Sequence, residues 1–434
     1  MERIVLAYSG GLDTSVAIPW LQEQYGAEVI AVTLDLGQGR ELEEIRERAI
    51  AAGAVRCHVL DARDEFARDF ILPALQAGAI YEDRYPMATS LGRPLIAEKL
   101  VEIAEMEKAT AIAHGCTGKG NDQVRIDVSA RALNPTIRVV APAREWNMSR
   151  PDEIEYARKR GIPVPATQAS PYSTDENLWG RSIECGVLED PWTEPPEDIY
   201  RLTKSPADAP AVPAYVEIEF ADGVPTQVNG VAMTFPELIA SLETIAGAHG
   251  VGRIDMLENR LVGIKSREIY EAPAAVVLHA AHRELENMVV PRELQRLKRR
   301  LSQVYADLVY DGFKHVSAAK ILSDHFKMFI HFEEPIEEEV DVDVDPELDR
   351  VKRLLDKSVE ELELSVRSSN CLRAAEIKSI GDLVQKSEPE MLKYRNFGRK
   401  SLKEIQDILG EMGLSFGMDI SRYSESKPAI NVEV

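Results

Sequence analysis

The chain has 434 residues, 44% of them apolar, and a formal net charge of −22. That length supports two or three hydrophobic cores rather than one, and that charge argues against a whole-chain binder of nucleic acid or another polyanion. The four cysteines (Cys57, Cys116, Cys185 and Cys371) show neither CxxC nor metal-ligand spacing, which predicts free thiols in a reducing, cytoplasmic setting and no protein metal site. MERIVLAYSG at the start lacks a charged-then-apolar leader, and no run reaches the roughly 18 apolar residues of a membrane span, so no membrane contact is expected.

Residues 1–165 alternate in character. RIVLAY, EVIAVTLD, VRCHVLDA, TAIAHG and TIRVVAP are short, β-branched apolar runs, separated by helical periodicities such as 40–53 and 93–109. This predicts an α/β unit with a parallel sheet covered by helices, and ligands beyond the carboxyl ends of the strands. Two glycine-rich segments fall at such ends. The first, AYSGGLDTS, comprises Ala7, Tyr8, Ser9, Gly10, Gly11, Leu12, Asp13, Thr14 and Ser15. Its glycines let backbone N–H groups converge on an anion at a helix start. No lysine follows, so it is not GxxxxGK[ST], and GxGxxG is absent as well. Asp13, an acid beside a phosphate, either helps to hold Mg²⁺ or caps the helix. Alone, the loop reads as an anion cradle, with a plain strand–turn–helix cap as the alternative.

The second segment is HGCTGKGNDQVR, residues 114–125. Gly115, Gly118 and Gly120 admit close backbone approach. Thr117, Asn121 and Asp122 offer short polar groups at a helix start, Asp122 suits a ligand ammonium, and Arg125 suits a carboxylate. The same residues suit a well-capped helix.

From about residue 166 prolines and loops dominate to 213. Residues 214–232 read as a β-hairpin turning at Asp222-Gly223, 235–248 as a helix, and 273–309 as one long helical stretch. Together 166–312 form a second, α+β domain. Residues 332–349 hold ten acids and no base, so 313–350 is expected to be a helix followed by an acidic extended linker. Residues 351–420 read as a small all-α domain, and 421–434 as a tail.

The SGGLDTS loop resembles the pyrophosphate-binding loop of the ATP pyrophosphatases. Five ordered blocks resemble the argininosuccinate synthases over about residues 3–312: AYSGGLDTS, YEDRYPMATSLGRPLIA, HGCTGKGNDQVR, SPYSTDENLWGRSIECGVLEDPW and GRIDMLENRLVGIKSREIYEAPA. The resemblance implies a parallel sheet of the adenine-nucleotide α-hydrolase type with a synthetase domain. It implies an ATP-dependent ligase in which the citrulline ureido oxygen attacks the α-phosphorus and the aspartate amine then displaces AMP. ATP, carried with Mg²⁺, would meet residues 7–15, Leu34 and Gly115, with Leu34 standing where the family usually has a small residue. Citrulline would meet Tyr85, Ser90, Asn121, Arg125, Ser173, Ser182, Glu258 and Tyr270. Aspartate would meet Thr117, Asn121 and Asp122. Asp122, Asn121 and Asp13 are the candidate catalytic groups. Taken bare, Tyr85 and Ser90 read as surface polar groups, and His114 and Cys116 as structural. The family builds tetramers through a C-terminal arm that does not follow here, so a homo-oligomer is expected only if that arm is dispensable.

Past Gly312, FKHVSAAKILSDHFKMFIHFEEP resembles the end of the N-terminal domain of the bacterial RNA polymerase alpha subunit. ELSVRSSNCLRAAEIKSIGDLV and NFGRKSLKEIQDILGEMGLSFGM resemble its helix-hairpin-helix-like C-terminal domain. The chain therefore reads as two unrelated proteins joined near Gly312. This second resemblance implies contact with DNA or a transcription factor through Arg367, Asn370, Cys371, Gly398, Lys400, Ser401 and Glu404. Gly398 precedes a helix start suited to a DNA phosphate, and Arg367 suits a narrow minor groove. The balanced charge of 351–434 by itself favours a protein-interaction module, while the cluster Lys393, Arg395, Arg399, Lys400 and Lys403 favours DNA.

Overall fold

A computed structural model describes residues 2–39, 42–118, 120–146, 148–163, 171–326, 351, 354–355, 357–362, 364–375, 377–394 and 397–420. The chain divides into two compact units, Met1–Glu334 and Pro335–Val434. The acidic run at 332–349 and the tail at 421–434 lie outside the described residues.

The first unit is built on five parallel strands: β1 Arg3–Ala7, β2 Glu28–Asp35, β3 Arg56–Asp61, β4 Ala111–Ala113 and β5 Arg138–Val140, in the order β3-β2-β1-β4-β5. Their apolar runs are continuous rather than alternating because both faces are covered. Val5, Ile30 and Val32 point into one core, while Ile4, Leu6 and Val29 point into the other. Helices α1 (Leu12–Tyr25) and α2 (Leu42–Ala51) supply the second core, and Gly26, left-handed at φ 60°, ends α1. The short α3 (Leu72–Ala77) and the long α4 (Ala88–Met106) close the first core. Helix α5 (Asp122–Leu133) packs along α4, and α6 (Arg150–Lys159) packs on α1.

An antiparallel sheet of order β11-β12-β7-β6 follows: β6 Ser173–Asn177, β7 Gly180–Glu184, β11 Arg253–Asn259 and β12 Lys265–Glu271. The hairpin expected at 214–232 is present as β8 (Ile218–Ala221) and β9 (Val224–Val228), with β10 (Val231–Ala232) added. Its turn residues Asp222 and Gly223 both have positive φ, as the tight hairpin turn requires. Helix α7 (Phe235–Ala248) starts on a Thr234/Glu237 capping box. The helical stretch expected over 273–309 is present as two helices, α8 (Pro273–Val289) and α9 (Arg292–Tyr310). Pro291 separates them, since it has no N–H to continue α8 and pushes Val290 into extended geometry.

Helix α10 (Ser317–Phe326) lies within the segment resembling the polymerase subunit, yet it folds onto this first unit. Ala319 and Phe326 are buried, the Phe326 ring stands 5.7 Å from Tyr305, and His315 Nε2 lies 3.1 Å from the Pro94 carbonyl oxygen.

The second unit is helical in its described residues: α11 (Val366–Ala374), α12 (Ile380–Val384), α13 (Glu388–Met391) and α14 (Arg399–Glu411). Leu372, Ile380, Leu383, Met391, Ile405 and Leu409 form its core. Ser379/Asp382 and Ser387/Glu390 capping boxes start two of the short helices.

Candidate active site

The sheet order reverses direction between β1 and β4, and in such a sheet the crevice beyond those two strand ends is where ligands bind. Both glycine-rich segments emerge there. Gly10 takes φ +75°, and its carbonyl accepts a 2.7 Å hydrogen bond from Arg48 Nη1, which fixes the loop. Gly11 is the N-cap of α1; its N–H meets Ser9 Oγ at 3.4 Å, and as glycine it brings no side chain of its own to cap the amides that follow. The α1 amides thus face the crevice as anion donors. Gly115 is required by packing, because a Cβ there would come within 2.9 Å of Thr14 Cγ2.

These loops border a cavity of about 510 Å³ lined by Ala7, Tyr8, Ser9, Gly11, Leu12, Asp13, Thr14, Leu34, Gly115 and Ser173. Gly10 and Ser15 stand behind this wall: Ser15 is buried, with its Oγ 2.9 Å from the Tyr8 hydroxyl. Leu34 both lines the cavity and belongs to the core. Asp13 does not cap α1. It instead shares a hydrogen bond with Glu153 of α6, and burial together with the Asp13 charge pushes Glu153 up to about 7. Among the described residues, no three acid, His or Cys side chains converge as a cation cage.

A second cavity, about 300 Å³, adjoins the first. Tyr85, Thr117, Asn121, Asp122, Arg125, Ser173, Ser182, Glu258 and Tyr270 all line it. Sheet register explains much of this convergence. Asp175 pairs with Ser182, and Ser182 pairs with Tyr270, so the three form one row across β6, β7 and β12. Side chains two residues apart share a face, which brings Ser173, Glu184 and Glu268 to the same side.

The cavity floor is a hydrogen-bonded network. Glu258 accepts from the hydroxyls of Tyr270 and Tyr310, and Tyr85 stacks on Tyr270 at 3.9 Å. Burial pushes Glu258 up, against the opposing pull of the two hydroxyls. Asn121 donates to the Tyr310 hydroxyl at 2.7 Å and accepts from the Leu261 N–H at 3.0 Å, so both ends of its amide are engaged. Arg125 donates through Nε to the Tyr310 carbonyl oxygen at 2.8 Å and through Nη1 to Asp122 Oδ1 at 3.0 Å. Arg93 Nη2 meets Asp122 Oδ2 at 2.8 Å and Asp175 Oδ2 at 2.7 Å. Burial works against the charge on Asp122, yet the two guanidiniums hold its carboxyl below the usual range.

Tyr85 and Ser90 read bare as surface groups, but they are 2% and 0% exposed. The first turn of α4 and the turn before it are packed beneath the antiparallel sheet, which no local pattern records. Ser90 lines neither cavity, and its buried Oγ has no hydrogen-bond partner among the described residues. Four further site residues carried no local signal: Arg93, Asp175 and Arg260 line the second cavity, and Tyr310 joins its floor. Three of them sit inside the blocks that resemble the synthases, where local pattern does not fix the direction of a side chain. Tyr310 comes from the end of α9, and stacks on Tyr81 at 3.5 Å.

His114 is structural here. Its Nε2 lies 3.0 Å from Asp127 Oδ1, and its Nδ1 accepts from the Cys116 N–H. Burial opposes its charging and Asp127 favours it, and accepting the Cys116 N–H at Nδ1 holds the ring as the neutral Nε2–H tautomer that donates to Asp127.

In the second unit Glu404 is turned to structure. It accepts from Ser365 N at 2.6 Å, Ser365 Oγ at 2.9 Å and Ser368 Oγ at 2.6 Å, tying α14 to the start of α11. Cys371 and Ser401 are buried, while Asn370 and Lys400 are exposed. Gly398 is the extended N-cap of α14, without a side-chain cap. Arg367 lies in the first turn of α11.

The fold and the paired cavities define a nucleotide-dependent enzyme of the adenine-nucleotide α-hydrolase class. Family profiles described as "Arginosuccinate synthase N-terminal HUP domain" and "Arginosuccinate synthase C-terminal domain" match residues 3–163 and 172–348. A profile for the C-terminal domain of the bacterial RNA polymerase alpha subunit matches 346–411. Curated proteins named argininosuccinate synthase are similar to this one. That of Oceanobacillus iheyensis is 58% identical over 311 residues, covering 72% of this chain and 75% of the relative. That of Rubrobacter xylanophilus is 60% identical over 311 residues, covering 72% and 76%. The chain belongs to the argininosuccinate synthase family, whose members are ATP-dependent ligases. The second profile runs past Gly312, consistent with the packing of α10 on the first unit.

Proposed function

We propose that the protein joins citrulline to aspartate through a citrullyl-adenylate, in the cytoplasm, with ATP bound along the β1–α1 loop and both amino acids in the adjoining cavity. The observation that carries this reading is the shared wall between the two cavities, which brings an anion-binding helix start beside the Asp122 cluster. The first-turn amides of α1 receive the β- and γ-phosphates, and the leaving pyrophosphate stays on them. Glu258 and the Tyr85–Tyr270 stack hold citrulline, and Asp122 orients the aspartate amine. Magnesium would enter with the nucleotide and offset the charge of its phosphates, and Asp13 is the carboxylate of this loop that could hold it. Pyrophosphate release from ATP by the intact protein should require citrulline. Argininosuccinate should form only when aspartate is added. Release that is indifferent to citrulline overturns the reading.

A second activity is proposed for the second unit, favoured by the polymerase alpha profile over 346–411. The exposed Lys400 at the uncapped start of α14 offers a phosphate contact. Retardation of an A·T-rich duplex at low salt is expected, weakening steeply with added salt and with Arg367→Ala. An unshifted duplex at low salt excludes it.

A further inference from the structure

The two cavities meet at a wall, and Arg93 is the cationic side chain among the described residues that lines both. It reaches the wall from the first turns of α4, with its side chain 19% exposed. One terminal nitrogen, Nη2, holds both Asp122 and Asp175. The guanidinium Nε is buried and has no acceptor among the described residues. A buried donor without an acceptor is costly, and here it belongs to a cation standing where two ligands must meet.

We propose that Arg93 binds the α-phosphoryl group of the nucleotide while holding Asp122 for the incoming amine. This rests on the function proposed above. With adenosine in the larger cavity and citrulline in the smaller one, the α-phosphorus has to stand at the common wall. Arg93 offers that phosphoryl group a charge-assisted donor, with a fork geometry that lysine does not reproduce. Its two carboxylate partners fix the guanidinium before the ligand arrives, so little reorganisation accompanies binding. The same side chain then couples the two steps, since the Asp122 it positions serves the second ligand.

Titration calorimetry of the intact protein with AMP and with adenosine tests this without requiring turnover. Arg93→Met should weaken AMP binding about tenfold or more and leave adenosine within about twofold, and Arg93→Lys should restore part of the AMP affinity. Arg93→Gln carries the same expectation if the methionine variant does not fold, as judged by thermal melting. Equal losses for AMP and adenosine would reduce Arg93 to a structural role, and unchanged AMP affinity would remove it from the phosphoryl site. Failure of the unaltered protein to bind AMP is a different result. It overturns the reading of the cavity as a nucleotide site, and this proposal with it.

Discussion

Asp122→Ala should lower kcat/KM for aspartate by about 10²–10³-fold, equivalent to roughly 3–4 kcal/mol. Asp122 is held between Arg93 and Arg125, one guanidinium on each carboxylate oxygen. Its removal takes away the counter-charge that the two cations share, leaving Arg93 with Asp175 and Arg125 with the attraction of Glu258. Like charges then push the guanidiniums apart, and the amine of the incoming aspartate loses the acceptor proposed to orient it. The side chain is 31% exposed, so solvent softens the stability cost, and the effect should fall on activity more than on melting temperature. Asp122→Asn separates charge from shape. It should recover folding stability but little activity. Steady-state kinetics with each substrate varied in turn decide the matter. A loss smaller than tenfold in both variants would remove Asp122 from the reaction.

Gly312→Ala is the second large effect, and it acts through the backbone. Gly312 has φ +88°, and a Cβ there would stand 2.7 Å from the Cα of Arg125. Alanine therefore meets both left-handed strain and a clash with a helix backbone that cannot step aside. A cost of about 2–4 kcal/mol is expected. The site should report it as well. Ser129 Oγ donates to the Gly312 carbonyl oxygen, and two residues earlier Tyr310 bonds Glu258 and Asn121 while stacking on Tyr81. A shift of this corner moves the floor of the citrulline cavity, so KM for citrulline should rise about tenfold or more while the nucleotide affinity changes little. Chemical denaturation and separate binding titrations measure the two halves of this prediction. A fully stable G312A protein would refute the close approach.

That position also bears on the apparent join in the sequence. The blocks resembling the synthases end near Gly312, and the next residues resemble a different protein. In three dimensions the backbone does not part there. His315 lies against α4, and Phe326 fills a place beside Tyr305. An amphipathic helix with small and aromatic residues on one face serves this packing whatever its ancestry, because the core reads volume and polarity.

Much of the site was legible from residues alone for a specific reason. Glycine loops at strand ends announce themselves by local backbone needs, and Gly10, Gly11 and Gly115 are all used that way. The hairpin at Asp222-Gly223 and the parallel sheet were equally readable, since turn chemistry and apolar runs are local signals. The break at Pro291 is a local signal too, though the expectation of helix over 273–309 did not include it.

Local residue chemistry thus accounts for the elements, the loops that approach the ligand, and the chemical inventory of the site. How that inventory is distributed came from packing between distant segments. Asp122, Arg93 and Asp175 come from α5, α4 and β6, and Tyr310 reaches Glu258 from the far end of α9. Whether a hydroxyl such as that of Ser90 faces ligand or core depends on what packs over it. Such contacts rest on strand register and helix docking, and the direction of each side chain is fixed only when both partners are in place.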